Sequence, residues 1–331
     1  MTLTDGQGRK HDYLRISITD RCNLRCVYCM GEEGIEQLKH EDILSYEDIL
    51  KVVRAGAELG ISKIRITGGE PLVRRGVVDL IRNIAATPGI SDLAMTTNGI
   101  LLDKYAGELK KAGLKRVNIS LDSMQPEKYN NITRCGKLDQ ALRGIEAALD
   151  NKLNPVKLNV VLMKGVNDDE IIDFLELTRK KTLHVRFIEY MPIGDHDCGY
   201  RDHYLPLTYI EEVAIKAGFP LTPVPLPGGA GPAESYTIAG GQGTIGLIHP
   251  ISKHFCDTCN RLRLTAEGNL KACLYWQDET PVQPVINDNE ALKDLIQEVL
   301  KSKPVEHQMG CDGKCGSVNP GSMRSMSKTG G

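Results

Sequence analysis

Six cysteines in two groups set the chemistry this chain can do. Cys22, Cys26 and Cys29 form a C-x3-C-x2-C run, and Cys256, Cys259 and Cys273 form C-x2-C-x13-C. Three thiolates so closely spaced can wrap one corner of an iron–sulfur cubane and ligate three of its four irons. The fourth iron is then open to an exogenous ligand. Structural zinc asks for four ligands, usually built from C-x2–4-C pairs. Near the first run only His11 and His40 could complete such a set, so a cluster fits better there. The second run, taken alone, reads as a zinc knuckle. Ten cysteines in a chain of this kind point to metal or redox chemistry rather than to a disulfide framework. Cys311 and Cys315 belong to neither run. They sit among glycines in a tail without core-forming residues and read as two exposed thiols.

Groups of this kind need rigid elements to hold them. The apolar periodicity predicts strands over Tyr13–Ile18, Lys63–Thr67, Asp92–Thr97, Arg116–Leu121, Val156–Met163 and Leu183–Glu189. Helices alternate with most of them: from a Ser45 cap to Leu59, then Gly76–Ala86, Leu102–Ala112, Leu138–Asn151 and Asp168–Lys180. Consecutive β–α units imply a parallel sheet with outer helices. Leu14, Ile16 and Ile18 alternate with Arg15, Ser17 and Thr19, and the strands at 63–67, 116–122 and 156–160 behave alike. A doubly wound sheet, buried on both faces, would read as continuous apolar runs. Strands apolar on one face only suit a barrel with a polar lumen, and six units are too few to close one. The expectation is an α/β fold: a partial, laterally open (βα)6 TIM-type barrel over residues 1–191. Short strands and loops over 192–308 predict a small α+β module that carries the second cysteine group. Residues 309–331 predict a flexible tail ending in Gly330-Gly331.

The lumen side of these strands is cationic. Arg15, Arg65, Lys157 and Arg186 project from different strands toward one interior, with Asp122 as the acid that faces them. Buried cations need counter-charge, and a triphosphate would supply it, with arginine offering paired donors. The chain as a whole gives no such bias: 41 Lys+Arg against 43 Asp+Glu leave a net charge of −2. That balance argues against nucleic acid as a partner. The absence of a long apolar run argues against a membrane span, and a polar N-terminus reads as cytoplasmic.

The first cysteine run, with Tyr28 before its last cysteine, resembles the radical S-adenosylmethionine (SAM) signature, and Gly68-Gly69-Glu70-Pro71 resembles that superfamily's glycine-rich element. Within the superfamily the runs TDRCNLRCVYC (19–29), KIRITGGEP (63–71) and FCDTCNRLR (255–263) resemble the molybdenum cofactor biosynthesis protein A family, the GTP 3′,8-cyclases. The resemblance implies two [4Fe–4S] clusters, on Cys22/Cys26/Cys29 and on Cys256/Cys259/Cys273. It implies SAM contacts at Tyr28, Gly68, Gly69, Glu70, Ser120 and Met191. It also implies GTP contacts at Arg15, Arg65, Thr96, Lys157, Arg261, Leu262 and Arg263, to which the lumen reading adds Arg186. Gly330 and Gly331 match the family's double-glycine end and would enter the active site. The implied reaction is conversion of GTP to (8S)-3′,8-cyclo-7,8-dihydroguanosine 5′-triphosphate, the first step of molybdenum cofactor biosynthesis. A reductase or flavodoxin-type electron donor and a downstream cyclic pyranopterin monophosphate synthase are the implied partners, and a homodimer is compatible with it. Two other readings compete: a peptide-modifying radical SAM enzyme with an auxiliary cluster, and a zinc-stabilised binding protein.

Overall fold

A computed structural model describes residues 2–193, 200–225, 231–309, 324 and 326–329. Cys198, Cys311, Cys315, Gly330 and Gly331 lie outside the described residues. The barrel strands are β1 (Tyr13–Ser17), β2 (Lys63–Thr67), β3 (Asp92–Thr97), β4 (Arg116–Ser120), β5 (Lys157–Leu162) and β6 (His184–Glu189). Between them run helices α1 (Tyr46–Glu58), α2 (Val77–Ala85), α3 (Leu102–Lys111), α4 (Pro126–Thr133), α5 (Leu138–Asp150) and α6 (Ile171–Lys180). The expected Ser45 cap is present. Ser45 Oγ accepts from Asp48 N at 3.0 Å, with Glu47 and Asp48 in the first turn of α1, where carboxylates favour the helix N-terminus. Helix α4 was not expected; its signal is Pro126 at the first helical position.

Beyond β6 come α7 (Tyr200–His203), α8 (Thr208–Lys216), β7 (Thr222–Pro223), β8 (Glu234–Thr237), β9 (Thr244–Ile248), β10 (Arg261–Leu264), β11 (Asn269–Lys271), β12 (Thr280–Pro281), α9 (Asn289–Lys301) and α10 (Met326–Thr329). The expected hairpin is present as the antiparallel pair β10–β11. Among the described residues twelve strands join one sheet in the order β12-β11-β10-β1-β2-β3-β4-β5-β6-β9-β8-β7. Strand β9 runs parallel to β6, and β10 runs parallel to β1. The barrel is therefore open, and the residues after 191 extend it at both edges.

Alternation sorts the two faces. Leu14, Ile16, Ile64, Ile66, Val117, Ile119, Leu158, Val185 and Leu262 share one core with the inward faces of the helices. Arg15, Arg65, Thr96, Asn118, Lys157, Asn159, Arg186 and Arg263 occupy the opposite, lumen face. The register sets Arg263, Arg15 and Arg65 side by side, and likewise Asn118, Lys157 and His184.

Candidate active site between two cysteine trios

The first trio lies in the loop that leaves the C-terminal end of β1. The turn after β2 holds this loop. Gly69 N donates to Thr19 O at 2.7 Å and Glu70 N to Arg21 O at 2.8 Å. A Cβ on Gly68 would stand 2.7 Å from Thr19 O, and one on Gly69 2.4 Å from Arg21 O, so only glycine permits the approach. Helix α4 grips the other side. Its last carbonyls, on Ile132 and Thr133, accept from Val27 N and Arg25 N at 2.9 and 3.0 Å, which satisfies acceptors a helix end leaves open. Arg134 then donates to Arg25 O and Met30 O at 3.0 and 2.9 Å. Tyr28 donates its hydroxyl proton to Asp122 at 2.7 Å, and Asp122 also accepts from Val161 N at 2.8 Å. Ser120 ends β4 and Met191 follows β6, both at this same end of the sheet.

The second trio lies at the other end. Tyr13, the first residue of β1, pairs with Arg261 at the start of β10, and Cys259 stands two residues before Arg261. The described cysteines carry no disulfide. Burial, then Asp122, then Cys29 and Cys22 drive the Cys26 thiol up; burial and the neighbouring Cys273 and Cys259 raise Cys256. Each trio is thus close enough for its sulfurs to repel one another as anions, which suits ligands shared by one positive centre. Among the described residues no such group converges tightly enough for a single ion; a cubane, which presents three separate irons, needs no such convergence. Cys259 differs from its partners: burial pushes it up, but Arg261 and Lys303 outweigh this and bring it to about 6.

Between the trios the lumen cations converge. Burial first, then Arg186, Arg116 and Arg65, bring Lys157 down to about 7. Burial, with Arg65 and Arg116 facing it, lowers Arg186 to about 10. Burial and Arg263 hold Arg15 well below the usual guanidinium range. Lys157 makes no ion pair among the described residues. Arg65 Nε, Thr96 Oγ1, Tyr13 Oη, Asn118 Oδ1 and Asn159 Oδ1 are buried without a hydrogen-bond partner. Buried polar groups are ordinarily satisfied, so five neighbouring strands present unmet donors and acceptors, among concentrated positive charge, on one face of the sheet. Such an arrangement can accept a polar anion. Tyr13, Asn118 and Asn159 were missed as site residues, although their lumen position was readable from alternation.

Several expected contacts fall differently. Leu262 is 1 % exposed and packs in the hydrophobic core, because it alternates with Arg261 and Arg263; its side chain does not face the lumen. The Glu70 carboxylate is turned to the protein. It accepts from Thr97 Oγ1 at 2.8 Å, Asn98 N at 2.7 Å and Leu72 N at 3.0 Å, and burial raises it to about 7. The Gly69 N–H is likewise taken by Thr19 O. Asp122 serves Tyr28 at the first trio rather than the lumen cations, and the acid among those cations is Asp92, paired with Arg116. The tail, expected to lack fixed structure, is docked where it is described. Arg324 bridges Glu267 and Glu279 at 2.5 and 2.8 Å, Met326 packs on the cluster around Ile193, Tyr275 and Met309 that also holds Met191 and Cys273, and Thr329 is buried.

Comparison with known proteins gives two family matches. Residues 16–178 match the radical SAM superfamily, and residues 183–309 match Molybdenum Cofactor Synthesis C. The chain is 52 % identical over 307 residues to the GTP 3′,8-cyclase of Listeria monocytogenes, covering 93 % of this chain and 92 % of that protein. It is 48 % identical over 311 residues to the enzyme of the same name from Heliobacterium modesticaldum, covering 93 % and 95 %. In fold it is similar to Streptococcus suis SuiB bound to S-adenosylmethionine, with a TM-score of 0.60 at 13 % identity, over 90 % of this chain and 68 % of that one.

Proposed function

The chain belongs to the GTP 3′,8-cyclase family of the radical SAM superfamily, and from that premise we propose that its cationic lumen holds GTP between two cluster-bearing ends. The enzyme converts GTP to (8S)-3′,8-cyclo-7,8-dihydroguanosine 5′-triphosphate, the entry reaction of molybdenum cofactor biosynthesis, and uses SAM and two [4Fe–4S] clusters. Cys22, Cys26 and Cys29 hold the first cluster, and Cys256, Cys259 and Cys273 the second. When bound, SAM and the first cluster would supply the radical chemistry that starts the reaction at ribose C3′. The protein's part is positioning and exclusion. Arg15, Arg65, Lys157, Arg186 and Arg263 clamp the triphosphate with charge-assisted bonds. Thr96, Asn118 and Asn159 offer their unmet groups to ribose or phosphate. Arg261, beside the second trio, orients the base. Joining C3′ to guanine C8 requires one fixed ribose–base geometry, which rigid strands can hold.

The observation that carries this reading is the convergence of buried cations and unmatched polar atoms from neighbouring strands between the two trios. A peptide substrate would not supply the anion they require. Six cluster cysteines without disulfides support a cytoplasmic enzyme. A reductase or flavodoxin-type protein as electron donor, and cyclic pyranopterin monophosphate synthase as consumer of the product, complete the proposal. The test is anaerobic incubation with SAM, dithionite and each nucleoside triphosphate, followed by mass analysis. Cyclised product from GTP alone is expected; turnover of a peptide, or product from every triphosphate, would overturn the reading.

A further inference from the structure

Lys303 stands just beyond α9 and is only 4 % exposed. Its Nζ lies 2.7 Å from Arg261 O and 3.4 Å from the Sγ of Cys259, with Cys259 O at 3.5 Å. Among the described residues no carboxylate pairs with it. A buried ammonium is costly unless something negative faces it. Here the negative groups are carbonyl oxygens and the sulfur of a cluster ligand. The position is enforced from two directions. Helix α9 anchors the segment through Leu292, Ile296 and Leu300 in the core. From the N-terminus, Arg9 donates to Pro304 O at 2.7 Å, Val305 O at 2.8 Å and Cys256 O at 2.9 Å, and Asp5 holds Arg9 at 2.6 Å. One guanidinium therefore ties the chain that carries Lys303 to the loop that carries the trio.

We propose that Lys303 is a positioning residue of the second cluster: its ammonium donates a hydrogen bond to Cys259 Sγ and holds that cluster's reduction potential above the value the three thiolates alone would give. A donor to sulfur and a nearby positive charge both stabilise the added electron. The inference rests on the two-cluster reading, and the test separates the two. Lys303→Met keeps the buried methylenes and removes the charge; Lys303→Arg keeps charge and donors. Potentiometric titration of the anaerobic holoenzyme, followed by electron paramagnetic resonance with SAM added to distinguish the first cluster, reads each potential.

In Lys303→Met the reduction equilibrium of the second cluster should shift about tenfold toward the oxidised form, a fall of about 59 mV for one electron. The first cluster should not move, and Lys303→Arg should restore most of the shift. Loss of the second cluster in Lys303→Met alone would also support the charge as its holder. An unchanged second potential in Lys303→Met, or cluster loss in both variants, would overturn the proposal and leave the two-cluster reading intact. About four irons per chain in the unsubstituted protein would overturn both.

Discussion

With Lys157 facing the triphosphate as proposed, GTP binding acquires a pH dependence of definite sign. Burial and the facing arginines bring the Lys157 pKa to about 7. A triphosphate removes the repulsion, so the bound-state value must rise toward the ordinary lysine range. Binding above pH 7 therefore takes up a proton, and affinity falls as pH rises through 7. At pH 8.5 roughly 3 % of the free enzyme carries the ammonium, against about half at pH 7. If the anion binds only that form, affinity drops about 15-fold across this interval, roughly 1.6 kcal/mol. Anaerobic titration calorimetry at pH 8.5, in two buffers of different ionisation enthalpy, counts the proton directly; close to one is expected. Lys157→Arg, charged throughout, should abolish the uptake and flatten the profile. No uptake by the unsubstituted protein, or an equal pH slope in the arginine variant, would refute the reasoning.

Three further outcomes follow from the geometry. Glu70→Gln turns an amide toward donors that now meet a carboxylate, so thermal unfolding should reveal a loss of about 1–3 kcal/mol, and SAM titration should show weaker binding as Asn98, which Glu70 holds and which donates to Asn23 Oδ1 beside Cys22 at 2.7 Å, loses its anchor; unchanged values in both would assign Glu70 no bracing role. Arg324→Ala should slow product formation a few-fold, as expected of partly exposed ion pairs, and Gly330→Ala/Gly331→Ala should slow it more, both with full iron content and normal unfolding; full activity in both, measured by mass analysis of the product, would show that the tail is idle. Cys311→Ser/Cys315→Ser should retain about eight irons per chain; a loss of about four would make the tail a source of cluster ligands.

Strands β1, β2, β4 and the start of β5 were readable because apolar and polar residues alternate there, and the cations because they fall on the face opposite the apolar residues. The same alternation argued against a lumen role for the Leu262 side chain, but the resemblance carried that residue with its neighbours. What escaped was set by distant chain segments. Nothing local to Glu70 reveals that Thr97 and Asn98 claim its carboxylate, and nothing local to Lys303 reveals Cys259. The pairing of β9 with β6 and of β10 with β1 joins residues far apart in sequence, so a module that reads as separate proves to extend the barrel's own sheet. The docking of the tail depends on Arg324 meeting two glutamates of the β10–β12 region, again beyond any local signal.

The placement of β9 and β10 also bears on synthesis. An unpaired strand edge is a template for pairing with another chain. When β6 has been made, both lateral strands, β1 and β6, still lack their outer partners, which lie within 244–264. At 5–20 residues per second the ribosome needs roughly 4–15 s to supply them. For that interval the nascent barrel carries two open parallel edges, one of them leading into the loop of Cys22, Cys26 and Cys29. The same stretch of chain that brings Cys256 and Cys259 also covers both edges. The protection of the growing chain against self-association is therefore timed to the arrival of the second set of cluster ligands.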